Sequence, residues 1–129
     1  MNPNARDAYL NASVTTATPQ RLLVMLYDRL VLDIRRGIGA QREERYDEAS
    51  TQLLHAQEIV NELRSSLKAD LWEGGAQLAS IYDWLFGELV RANIGRDVAV
   101  TETCLAIVEP LAQTWHEAAL ALGADPRSA

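Results

Sequence analysis

The recurrence of apolar residues at helical spacing limits this chain more than any other feature. From Pro19 onward, Leu22, Leu23, Leu26, Tyr27, Leu30, Val31, Ile34 and Ile38 follow one another at steps of one, three and four, the stripe of a helix with one buried face. Thr18 can lend its hydroxyl oxygen to the free donors of the first turn, and Pro19 has no donor to leave orphaned. A first helix is therefore expected from about Pro19 to somewhere between Arg36 and Arg42, depending on whether Gly37 and Gly39 cap it or lie inside it. Val24, Met25 and Leu32 lie off the stripe, a sign that this helix is wanted on two sides.

Three more helices follow from the same reasoning. Tyr46, Ala49, Leu53, Ala56, Val60, Leu63 and Leu67 alternate steps of three and four, a heptad seam suited to near-parallel packing, over a helix of about Tyr46 to Leu67. The paired Gly74-Gly75 permits a tight reversal before a third helix, about Ala76 to Ile94, which is apolar almost all round. Gly95 ends it and Asp97 can cap the fourth, about Val98 to Leu122, with Trp115 on its main stripe. Pro110 sits inside that last helix, removes one backbone bond and is expected to bend it. No stretch alternates with period two. Four helices joined by short links predict an all-α antiparallel four-helix bundle over residues 18–122, preceded by an arm over 1–17 and followed by a flexible tail over 123–129. In the arm, Tyr9 and Leu10 must dock on the bundle or stay exposed.

Composition narrows the function. A chain of 129 residues is long enough to bury a core as one domain. No apolar run approaches the roughly 20 residues of a membrane helix, and Met1 to Asp7 hold no apolar signal core, so a soluble cytoplasmic protein without membrane insertion is expected. The net charge of −6 and the lack of a basic cluster beyond Arg35-Arg36 argue against nucleic acid. The lone Cys104 reads as a small core residue.

Catalytic residues are missing from the pattern. A di-iron carboxylate bundle needs inward Glu-x-x-His pairs, yet Gln52 and Gln113 stand three residues before His55 and His116. A histidine phosphotransfer or other four-helix-bundle signalling protein is the alternative, but Ala56, Gln57 and Glu58 after His55 supply neither the glycine nor the positive charge that phosphotransfer needs. Both histidines read as boundary residues with one nitrogen meeting water or a backbone oxygen. No phosphate loop, metal-ligand spacing or cofactor motif is present, so neither an enzyme nor a bound cofactor is expected.

The unexplained surplus is apolar: Val24, Met25 and Leu32; Leu54 and Ile59; Trp84 and Phe86. Such a surface usually receives a partner, and grooves between helices take amphipathic helical peptides.

At this point a resemblance enters. Tyr9, then Val14-Thr15-Thr16-Ala17-Thr18-Pro19, then Leu22 and Met25-Leu26-Tyr27-Asp28 resemble the opening of the FliS family of flagellar secretion chaperones. His55-Ala56-Gln57-Glu58-Ile59-Val60-Asn61-Glu62-Leu63 is similar to that family's second helix. Gly74-Gly75, Ile81-Tyr82-Asp83-Trp84, Leu89-Val90-Arg91-Ala92-Asn93-Ile94 with Asp97, and finally Trp115 complete the ordered set. The resemblance implies a cytoplasmic bundle that captures the C-terminal segment of flagellin, prevents its early polymerisation and keeps it competent for type III export. It further implies an arm that covers part of the empty groove. The groove and its lid are then expected at Tyr9, Leu10, Leu22, Met25, Tyr27, Ile59, Trp84, Leu89 and Asn93. Tyr27→Ala or Trp84→Ala is expected to weaken capture while helix content survives. The export apparatus, other flagellar proteins and a second copy of the chain stay open as further partners. Pro110 departs from the family's last helix.

Overall fold

The computed structural model describes residues 18–71 and 73–124. Four helices fill them: α1 Pro19–Arg42, α2 Tyr46–Ser66, α3 Gly75–Ile94 and α4 Val98–Ala124. A single 3-10 turn, Ala69–Leu71, lies between α2 and α3. The expected arm, with Tyr9 and Leu10, falls outside the described residues. α4 runs through Pro110 and two residues beyond its expected end at Leu122.

Local chemistry sets each boundary. Thr18 Oγ1 accepts from Arg21 N at 3.1 Å and Pro19 occupies the first helical position, so α1 starts where its cap allows. Gly37 and Gly39 lie inside α1, which ends instead on Glu43 and Glu44, with Glu44 at φ 58° and Arg45 N donating to Ala40 O at 2.8 Å. The second reversal uses Gly74 at φ 86°, a left-handed conformation that glycine adopts without steric cost. Gly75 must also be small, because a Cβ there would lie 2.2 Å from Ala69 O. After α3, Arg96 takes φ 51°, and Asp97 Oδ1 accepts from Ala99 N at 3.1 Å and Val100 N at 3.3 Å to open α4.

Side-chain pairs show that neighbouring helices run antiparallel, since one partner's number falls as the other's rises. Between α1 and α4, Asp28 meets His116 at 2.6 Å, Arg35 meets Glu109 at 3.0 Å and Arg42 meets Glu102 at 2.7 Å. Between α2 and α3, Asn93 Nδ2 donates to Ser50 Oγ at 3.2 Å and Arg64 meets Asp83 at 3.0 Å. α1 packs on α2 and α4, α2 on α3, and α3 on α4, which closes the ring of an antiparallel bundle.

The core follows the predicted seams of α1, through Leu30 and Ile34, and of α2, through Leu53, Ala56 and Val60, and is completed by Leu85 and Leu89 from α3 and Cys104 and Val108 from α4. Small residues set the spacing. A Cβ on Gly37 would come within 2.9 Å of Leu53 Cδ2, so the α1–α2 approach depends on its absence.

Among the described residues Asp33, Gln41, Gln57 and Thr101 are buried polar side chains, and none leaves a buried nitrogen or oxygen without a partner. Gln41 Nε2 donates to Ala92 O at 3.1 Å while its Oε1 accepts from Thr101 Oγ1 at 2.7 Å, tying α1 to α3 and α4. Asp33, fully buried, accepts from Arg29 Nε at 2.9 Å and from His55 Nδ1. Each histidine meets a partner not anticipated for it, a carboxylate on α1: Asp33 for His55 Nδ1 and Asp28 for His116 Nε2. Among the described residues no helix is long and apolar enough to cross a membrane.

Candidate partner-binding site

An apolar hollow of about 470 Å³ opens at the end of the bundle where α1 begins. Pro19, Leu22, Leu23 and Leu26 of α1 line it with Leu63, Ser66 and Leu67 at the end of α2, Lys68 and Leu71 just after it, Leu78 and Tyr82 of α3 and Trp115 of α4. Its origin is geometric. The α1 stripe starts at Leu22 and Leu23, and at this end the chain leaves α2 through the 3-10 turn. Leu22 and Leu23 therefore stay half-buried, Leu26 likewise, and Leu71 in that turn is 71% exposed.

Tyr82, one of the lining residues, meets Tyr27 hydroxyl to hydroxyl at 2.7 Å, and both side chains are buried. Burial disfavours the phenolate and raises both pKa values above the ordinary tyrosine range. The pair therefore offers neutral O–H groups at any physiological pH. The Trp115 ring stands 6.3 Å from that of Tyr27, tilted by 38°.

The residues expected at a groove divide into groups. Leu22 lines the hollow. Met25 and Trp84 lie elsewhere on the surface, 38% and 42% exposed, together with Leu32 and Leu54. Tyr27, Ile59 and Leu89 are 1%, 6% and 0% exposed and lie in the core, a correction to their expected place on a partner-facing surface. Tyr27 spends its hydroxyl on Tyr82, Ile59 widens the buried face of α2 beside Val60, and Leu89 sits on the inner seam of α3. Asn93 lines a separate polar hollow with Gln41, Tyr46, Asp47 and Ser50, where the Arg96 guanidinium lies 4.4 Å above the Tyr46 ring. Of the off-seam residues, Phe86 packs half-buried against the core and Val24 is half-buried.

Sequence reasoning missed most of the hollow's lining. Leu23, Leu26, Leu63 and Leu67 stand on the very stripes that predict a closed core. The available signal was Leu71, an apolar residue in the break between two helices, where nothing local can bury it.

The sequence of this bundle has relatives. The family model for flagellar protein FliS matches residues 1–121. This chain belongs to the FliS family. Within it, the chain is 31% identical over 115 residues to the flagellar secretion chaperone FliS of Bacillus subtilis (strain 168), covering 89% of this chain and 86% of that protein. It is 26% identical over 113 residues to the flagellar secretion chaperone FliS of Escherichia coli (strain K12), covering 86% and 83%. Flagellar secretion chaperone FliSB of Pseudomonas aeruginosa is 26% identical over 110 residues, covering 82% and 85%. The family and the names of these FliS relatives describe a chaperone and not an enzyme. The apolar hollow suits that class, because a chaperone works by covering surface rather than by moving bonds.

Proposed function

We propose that this chain is an export chaperone that binds the C-terminal segment of flagellin in the cytoplasm, keeps it from polymerising early and hands it on for flagellar type III secretion. The observation that carries the proposal is the apolar hollow beside Leu22, Leu26 and Leu71, in a chain whose relatives are named as flagellar secretion chaperones. An amphipathic segment that polymerises through its apolar face loses that driving force when the face is covered. Burial contributes about 25 cal/mol per Å², enough to offset the ordering of a disordered segment. Met25 and Trp84 are exposed apolar side chains outside the hollow. They extend the contact around the bundle.

Calorimetric titration with a synthetic peptide of a flagellin C-terminal segment tests this reading. Leu71→Asp places a charge at the apolar wall and touches no core seam, so it is expected to weaken binding by at least about tenfold. Its circular dichroism should match that of the wild type. Equal affinity for the two proteins would overturn the proposal.

A further inference from the structure

The outer face of α1 carries apolar side chains that the bundle itself does not use. Met25 and Leu32 are exposed, and with Gly39 they repeat every seven residues, which places all three on one stripe of the helix. Above Gly39 there is open space, since a Cβ there would meet nothing within 4 Å. Leu32 lines a hollow of about 510 Å³ between α1 and α4, with Val31, Ala112 and the ion pairs Asp28–His116 and Arg35–Glu109. A projecting leucine and a hollow thus share one face. The stripe is also complementary to itself about Leu32. Seven residues to either side stand Met25 and Gly39, a long side chain and an absent one. Four residues to either side stand Asp28 and Arg36, and eleven to either side Arg21 and Glu43, each couple opposite in charge. Arg21 and Arg36 have no ion-pair partner among the described residues.

We infer that a second copy of this chain docks on this face, its α1 antiparallel to the first, with the two-fold axis at Leu32. In such a pair a residue some number of positions before the axis meets the one the same number after it, so the surface must complement itself. Met25 of each copy enters the space over the partner's Gly39. Leu32 packs beside the partner's Leu32 at the α1–α4 hollow. Asp28 meets the partner's Arg36 and Arg21 the partner's Glu43, each contact made twice by symmetry. An unrelated helix would need only its own complement to this stripe, and the match of the stripe with its own reverse is what selects a second copy. One opposition is unfavourable, that of Arg29 with the partner's Arg35. Each of these already lies on a carboxylate of its own chain, Asp33 at 2.9 Å and Glu109 at 3.0 Å, which offsets the like charge. None of Met25, Asp28, Leu32 and Arg36 lines the apolar hollow beside Leu22, so pairing leaves that hollow open. Met25, which the guest contact also uses, serves only one of the two at a time. With two large apolar side chains from each copy, the contact falls at the small end of protein interfaces and should form only at about 10 μM or above.

The test uses the full chain alone, so its outcome does not depend on whether flagellin binds. Sedimentation velocity from about 5 μM to about 1 mM should show monomer giving way to dimer. Leu32→Asp sets two like charges against each other on the axis and should weaken association by at least about tenfold. Leu54→Asp and Trp84→Asp, at exposed positions on α2 and α3, should change it by less than about twofold. Arg36→Glu faces the partner's Asp28 and should weaken association by about three- to tenfold, and adding Asp28→Arg to it should restore the wild-type value. Leu32→Cys should close a disulfide to its own copy under mild oxidation while Leu54→Cys does not. Circular dichroism of each variant should match the wild type. A monomer at every concentration, or a dimer that Leu32→Asp leaves intact, would overturn the inference. So would a dimer weakened by Leu71→Asp or Trp84→Asp instead, which would place the contact at the apolar hollow or on α3. A loss in Arg36→Glu that Asp28→Arg fails to restore would overturn the antiparallel register.

Discussion

Tyr27 packs its ring near Trp115 and gives its hydroxyl to a buried pair with Tyr82, so its loss removes both packing and a hydrogen bond. Tyr27→Ala is expected to cost about 3–5 kcal/mol in urea unfolding, the usual range for deleting a buried aromatic. Trp84→Ala, at an exposed position, should stay within about 0.5 kcal/mol of the wild type. The two side chains, expected to act alike on a partner, thus separate into a structural role and a surface one. Titration supplies a second prediction. Burial pushes the Cys104 thiol from 9.0 up to about 12, with Glu88 adding to the shift, and burial also raises Tyr27 and Tyr82 above 10.0. A group whose pKa is raised by folding contributes stability that is fully present below its unfolded value and is lost as pH climbs through the folded one. The bundle should therefore lose about 2 kcal/mol between pH 8 and pH 10.5, from the thiol first and the phenols next. A flat unfolding free energy across that window would mean that these groups are not buried as described. Below pH 9 the thiol stays neutral, and alkylation of Cys104 should proceed only as fast as the bundle opens.

Helix α1 contains two glycines with opposite roles. A Cβ on Gly39 meets nothing within 4 Å, whereas one on Gly37 would press on the fully buried Leu53. Gly39→Ala should stabilise the chain by about 0.5–1 kcal/mol, the helix-propensity gain of alanine over glycine. Gly37→Ala should lose that gain and more, because Leu53 has no free space to move into. Thermal unfolding of the two variants distinguishes the cases, and a rise in both midpoints would contradict the close α1–α2 contact. From the sequence these glycines were ambiguous between a cap and an interior position. The helix continues because apolar Ile38 and buried Ala40 and Gln41 continue to find neighbours beyond them. The turn after α1 then forms at Glu44, and the one after α3 at Arg96, two non-glycine residues at positive φ. Hydrogen bonds from Arg45 N to Ala40 O and from Asp97 N to Ala92 O accompany that conformation.

The assembled bundle leaves an apolar hollow at one end, while its ion pairs lie along the helix flanks. Peptide capture in the hollow should therefore change by less than about threefold between 50 mM and 500 mM salt, since screening acts on charges and not on apolar burial. A steep loss of affinity with salt would place the partner on the charged flanks instead.

Helix number, order, starts and caps were legible from residue spacing, because they depend on backbone donors and on neighbours three or four positions away. The resemblance to FliS rested on words spread along the chain, and it needed no coordinates. Which apolar residues remained uncovered could not be read in the same way. Leu22 and Leu89 have the same side chain and both stand on helical stripes, yet one borders open space and the other is sealed. Burial depends on what the other helices bring opposite a side chain. The partnering of Asp33 with His55, of Tyr27 with Tyr82, and the opening between Leu22 and Leu71 all depend on residues tens of positions apart, which meet only when four helices pack.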